Sequence, residues 1–240
     1  MSESGARQVA VVVGVGAGLG AALGRRFARG YAVALVARSG EVTRAVADEI
    51  RAEGGNALVV QSDATVPVQV SAAYEHVQRT LGAPEVLIFN GGRRPFGTVV
   101  DTTPEVFEET WRAHAFGAFL WARQVLPAML AQRRGAILIT GATAGVKPGP
   151  SSAAFAPAKF AVRGLAQVMA RDLHPQGIHV AYVNVDGAID MPVVRQHLSH
   201  LKDEDLLKPA AIADTFWFLA HQDPSAWSHE LDVRPFKESF

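Results

Sequence analysis

The chain predicts an α/β fold, a doubly wound parallel sheet of about seven strands with helices on both faces. Short apolar runs rich in valine and isoleucine alternate along it with longer segments of helical period. All but the last of these runs read as continuous β-rich stretches rather than strict alternations, as a strand covered by helices on both faces requires. A glycine-rich turn joins the first run directly to the first helical segment, the grammar of a βαβ unit.

Taken in order, Val9–Val13 is the first strand and residues 19–29 the helix after it. Residues 32–36, 57–61, 86–89, 136–140 and 179–185 are further strands, and Glu230–Val233 is a short last one. The long helical segments at 104–132 and 152–173 supply right-handed crossovers between parallel strands. No Pro/Gly/Ser-rich linker and no internal repeat divides the chain, so residues 1–240 are expected to form one domain. The least regular stretch is 190–207, with Met191-Pro192 followed by Lys202-Asp203-Glu204-Asp205. It is expected to be a mobile flap over the ligand edge of the sheet.

Composition narrows the function. At 240 residues and 49% hydrophobic content the chain is long enough for a full core. Its 23 basic and 23 acidic residues cancel, so no broad field favours nucleic acid or an anionic membrane. There is no cysteine, which excludes disulfides, thiolate catalysis and Cys-ligated zinc. Residues 1–8 are polar and every apolar run is too short to span a bilayer. These features lead to the expectation of a soluble, cytoplasmic protein that handles a small molecule.

The chemistry begins at Gly14-Val15-Gly16-Ala17-Gly18-Leu19-Gly20, between the first strand and its helix. Glycines there let the backbone turn sharply and approach a pyrophosphate, whose charge meets the free N–H groups at the helix start. Gly14, Gly16, Gly18, Leu19 and Gly20 are therefore candidates to hold a dinucleotide in a Rossmann-type fold. The second strand ends at Val36-Ala37-Arg38-Ser39, without the acidic residue that accepts the ribose hydroxyls of NAD. Arg38 suits a 2′-phosphate, so NADP(H) is preferred and NAD(H) possible.

Ser62-Asp63-Ala64 after the third strand, Asn90-Gly91-Gly92 after the fourth, and Lys159 on a long helix complete a pattern that extends over nearly the whole chain. Together with the glycine turn, this pattern resembles the short-chain dehydrogenase/reductase family. The resemblance implies that Asp63 and Ala64 lie at the adenine edge and that Asn90 and Gly92 continue the cofactor groove. It implies that Lys159 hydrogen-bonds the nicotinamide ribose and that the turn after Val185, through Ile189, meets the nicotinamide amide. Lys159 has the apolar neighbours Phe155, Ala158, Phe160 and Val162, which favours a specific buried role over a solvent charge. The segments at 111–130 and 155–173 carry apolar residues on more than one face and so need a second contact surface. In the resembling family those helices form a four-helix interface, so a homodimer or homotetramer is expected. The C-terminal stretch 227–240 ends in aromatics amid mixed charge and is read either as a docking segment on a neighbouring subunit or as a frayed tail.

The departures from the family bear on catalysis. Its tyrosine falls on Phe155, its serine on Ala142 and its relay asparagine on His114; Val13 stands for a threonine, and Asp186-Gly187 for Pro-Gly. Hydride transfer to a carbonyl builds charge on oxygen, and a positioned acid must supply a proton worth ~10²–10⁴ in rate. A phenyl ring and a methyl group have no proton to give. Tyr31, Tyr74 and Tyr182 are expected to pack with their hydroxyls exposed. His114 is the candidate substitute acid, because imidazole titrates near neutrality, with Lys159 acting directly or through water. Thr143, Ser151 and Ser152 carry hydroxyls but have no evident base. Thr143, Phe155 and Met191 are candidates to face a substrate. His197 and His200 have no ligand cluster beside them, so they read as a solvated face and no metal is expected. Two functions follow: an NADP(H)-dependent oxidoreductase with a non-standard site, or an inactive NADP(H)-binding or sensing protein of the same fold.

Overall fold

A computed structural model of the chain describes residues 7–238; most of the polar N-terminal segment and the terminal Phe240 lie outside them. In chain order the strands are β1 (Val9–Val13), β2 (Ala32–Ala37), β3 (Asn56–Gln61), β4 (Pro84–Phe89), β5 (Gly135–Thr140), β6 (Ile178–Val185), β7 (Ala188–Ile189), β8 (Leu206–Leu207) and β9 (Glu230–Val233). The helices are α1 (Leu19–Ala28), α2 (Gly40–Ala52), α3 (Pro67–Thr80), α4 (Pro104–Trp111), α5 (Gly117–Gln132), α6 (Phe155–Leu173), α7 (Pro192–His197) and α8 (Pro209–Ala220). Seven strands form one sheet in the order β3-β2-β1-β4-β5-β6-β9, all paired in parallel.

Strand periodicity explains the layers. In β1 every residue is buried; Val9, Val11 and Val13 enter one core with Tyr74, Trp121, Val162 and Met169 of α3, α5 and α6. Ala10 and Val12 point the other way, to Leu23, Phe27, Ile50 and Phe216 of α1, α2 and α8. Each fully buried valine is worth roughly 1.5–3 kcal/mol relative to exposure, so the run is committed to the centre of the sheet. Because β1 has β2 on one side and β4 on the other, the strand order reverses there. A crevice therefore opens beyond the carboxyl ends of β1 and β4.

Several expectations need correction. The segment at 104–132 is not one helix: α4 starts at Pro104, where the Thr103 hydroxyl accepts from the Val106 N–H at 3.3 Å, and a π-helical turn at Arg112–Phe116 separates it from α5. The wider turn brings His114 into the interior, 3% exposed. Helix α6 begins at Phe155 rather than 152, because Ser152 is engaged in a bridge with Gly97 and Ser151 has a left-handed φ of 57°. The tyrosines are all buried. Tyr182 is 1% exposed beneath the turn after β5, its hydroxyl pushed up to about 12 by burial; Tyr31 pairs with His221 at 3.2 Å, and Tyr74 lies in the core rather than at a solvent edge. Residues 190–207 are also more regular than expected. β7 and β8 pair, α7 follows, and Arg195 reaches both Asp190 at 2.5 Å and Asp203 at 2.8 Å. Among the described residues, no helix is long and apolar enough to cross a membrane.

Candidate active site

A groove of about 530 Å³ fills the crevice, with Gly14, Gly16, Arg38, Asp63, Ala64, Asn90 and Gly92 among its lining residues. Gly14 is required there on two counts. Its φ is +87°, and a Cβ would lie 2.5 Å from the Asn90 carbonyl oxygen. That approach joins the two strand ends: the Asn90 N–H donates to Val13 at 2.9 Å, and its side-chain amide donates to the Gly14 carbonyl at 3.1 Å. Gly20 packs beneath the same turn, and Leu19 is a core residue. Gly16 has open space where a Cβ would stand. Helix α1 has Gly18 as its N-cap and thus no side chain to cap its first N–H groups.

Arg38 is exposed at the end of β2, and among the described residues no carboxylate pairs with it. Its backbone carbonyl is held by the Gln61 amide at 3.0 Å. Beside it lies a cation that the sequence reading missed: Arg44, one turn into α2, folds back so that a Cβ on Gly40 would collide with its guanidinium. The signal for it was its spacing from Ser39, the residue that precedes α2. Asp63 faces its own turn, one carboxylate oxygen accepting from the Thr65 N–H and hydroxyl, both at 2.8 Å. Arg93 and Arg112 also line the groove, the former bridged to Glu109 at 3.1 Å and the latter donating to the Thr65 carbonyl at 3.0 Å.

At the other end the fold does bring together Phe155, Ala142 and His114, three of the positions that differ from the family. Phe155, Ala144 and Ala156 form an apolar cluster with Ala142 packed against it. Thr143 sits half-buried in the short 3₁₀ turn beside them. The His114 ring meets Phe155 edge-on, centroids 5.4 Å apart. Lys159 is 5% exposed, with its Nζ donating to the Thr140 carbonyl at 2.8 Å and lying 5.7 Å from the centre of the Phe155 ring. Burial pulls its amine down to about 7.

His114 departs from its expected role. Its Nε2 lies 3.0 Å from the Arg93 carbonyl, which only accepts, so the ring proton on that nitrogen is donated there. Burial, and then the Lys159 charge, push the ring down to about 3 against the weaker opposing effect of that hydrogen bond. Such an imidazole is neutral at pH 7 and is not an acid poised near neutrality. Gly92, at φ +114°, lies directly against this ring. Ile189 sits in β7, and the side chain of Met191 rests on Gly18. None of Gly18, Leu19, Gly20, Lys159 and Ile189 lines the open groove.

The sequence model of the short chain dehydrogenase family matches residues 8–200. An "inactive 2-(S)-hydroxypropyl-CoM dehydrogenase 2" of Xanthobacter autotrophicus is 35% identical over 177 residues, 74% of this chain and 76% of that protein. The crystal structure of a short-chain dehydrogenase from Rhodopseudomonas palustris is 35% identical with a TM-score of 0.83, over 95% of this chain and 99% of that one. A metagenomic short-chain oxidoreductase crystallised with NADP is 31% identical with a TM-score of 0.84, over 95% of this chain and 96% of that one. With its sheet order, its glycine turn at a strand-order reversal and this extent of match, the chain belongs to the short-chain dehydrogenase/reductase family, whose members use nicotinamide cofactors on small molecules.

Proposed function

We propose that this family member binds NADP(H) and does not reduce ordinary carbonyls by the tyrosine route, so that its role is nucleotide binding or sensing. The observation that carries the reading is the apolar cluster of Phe155, Ala144 and Ala156 with Ala142 packed against it, where a hydroxyl acid and its hydroxyl partner would be needed. Arg38 and Arg44, with no carboxylate partner among the described residues, supply positive charge where the 2′-phosphate would sit. Asp63 and Ala64 would border the adenine, and Gly14, Gly16, Asn90 and Gly92 would follow the ribose and phosphates along the groove. Gly18, Leu19 and Gly20 would present the start of α1 to the pyrophosphate, Lys159 would face the nicotinamide ribose, and Ile189 the amide. The NADP-bound relative and the relative named as inactive both support this combination.

One observation favours a second reading, an oxidoreductase with a non-standard site. Bound NADPH would supply hydride, and Lys159, the one group of this cluster held near pH 7, would hold the proton at Nζ. In either reading Thr143, Phe155 and Met191 would face a small-molecule substrate or ligand. A homodimer or homotetramer is supported by the exposed rings of Trp111, Phe119 and Phe160 on α4, α5 and α6. NADPH and NADH titrations followed by absorbance assays on a panel of ketones and aldehydes test the proposal. Nucleotide affinity with no turnover is expected; wild-type turnover that falls as pH rises through 7 and is lost in Lys159→Met would establish the second reading instead.

A further inference from the structure

The open groove does not reach all the residues proposed to meet the dinucleotide. It runs from Arg38 past Gly14 and Gly16 to Gly92 and Arg93, and there it stops. One side chain stands against the glycine through which the path would continue. Met191 lies on Gly18, with its sulfur and Cγ where even a methyl group on that glycine would have to go. Its atoms thus cover the Cα of the N-cap residue of α1, the surface a pyrophosphate must reach to meet the helix.

Met191 is not loosely placed. It directly precedes α7 in a segment tied down at both ends. Ala188 and Ile189 pair with Leu206 and Leu207, and the Asp190 N–H donates to the Leu207 carbonyl at 2.8 Å. Arg195 then holds Asp190 through two nitrogens, at 2.5 and 2.8 Å, and Asp203 at 2.8 Å. The adenosine end has no such cover: Arg38 and Arg44 are exposed.

We infer that the ligand this groove takes, as folded, is an adenosine 2′-phosphate nucleotide held by its adenosine end, and that Met191 is the residue that decides whether a nicotinamide half can follow. The inference rests on the NADP(H) reading and adds that affinity resides in the adenosine half. Nucleotides with and without nicotinamide then compete on nearly equal terms, and displacement of Met191 is the cost that full seating must meet.

Isothermal titration of the intact protein with 2′,5′-ADP and with NADP⁺ tests this. In the wild type the two dissociation constants are expected to agree within about threefold. Met191→Ala should tighten NADP⁺ about tenfold and change 2′,5′-ADP less than about twofold. Arg195→Ala, which frees the segment without touching the groove, should move NADP⁺ in the same direction. If the wild type binds NADP⁺ more than about tenfold tighter than 2′,5′-ADP and Met191→Ala leaves that ratio unchanged, the inference is overturned while the NADP(H) reading stands. If neither nucleotide binds, both fall.

Discussion

Lys159 and His114 are two bases buried within one small cluster, and burial acts on both in the same sense. Each has its folded pKa below its ordinary value, so the unfolded chain binds more protons between the two values and stability rises with pH across that window. For His114 the window runs from about 3 to 6.5, and for Lys159 from about 7 to 10.5. Urea unfolding should therefore show stability lost as pH falls from 6.5 toward 3, and His114→Asn should flatten that loss. Lys159→Met should gain most over the wild type below pH 7, and its advantage should shrink as pH approaches 10. An advantage independent of pH would mean that the amine is not held near 7. At the neighbouring positions, Phe155→Tyr with Ala142→Ser returns both missing hydroxyls. If the rest of the site is sound, the double variant should exceed wild-type carbonyl reduction by ~10²–10⁴, measured as NADPH oxidation. No gain would place the defect in cofactor seating rather than in proton supply.

Among the elements, the glycine turn and the loop after β4 show how unequal nominally similar glycines are. Gly92 combines φ +114° with a neighbour that leaves no room, the His114 ring, so Gly92→Ala should cost about 2–4 kcal/mol. Gly16 has an ordinary φ and nothing within 4 Å, so Gly16→Ala should stay within about 0.5 kcal/mol. Denaturant titration of the two variants separates these cases. The strands were legible because a run such as Val9–Val13 has one solution, burial on both faces. The π-helical turn at Arg112–Phe116 was not legible, because its apolar residues also fit an uninterrupted helix and the extra residue in the turn answers to contacts of His114 with Gly92 and Phe155. Tyr182 was misplaced for a related reason. Its phenol reads as amphipathic, while its cover comes from Gly141 and Gly145, glycines of a different loop.

For the molecule as a whole, the lining of the open groove could be anticipated and the cover beyond its end could not. Gly14, Arg38 and Asn90 each follow a strand end directly and Asp63 comes one residue later, so predicting the sheet also places them along one edge. The contact of Met191 with Gly18 spans most of the chain and depends on how residues 188–207 fold back, which no local pattern encodes. Assembly is testable at the same scale. Phe119→Glu, at a ring 44% exposed on α5, should shift a dimer or tetramer toward smaller species in light scattering, with little change in the circular dichroism spectrum. An unchanged mass would remove the support that the exposed rings give to an oligomer.

The hydrogen bond from Asn90 to Gly14 joins residues 76 positions apart. The groove is thus not a property of either half of the sheet; it exists only after distant parts of the polypeptide have docked, a slow kind of closure. A bound nucleotide would report on completed folding, and at a hundredfold excess over its dissociation constant it would add about 2.7 kcal/mol to the whole cooperative unit. Amides of β1 and β4 should then gain protection from hydrogen exchange together, making occupancy a gauge of intactness for the entire protein.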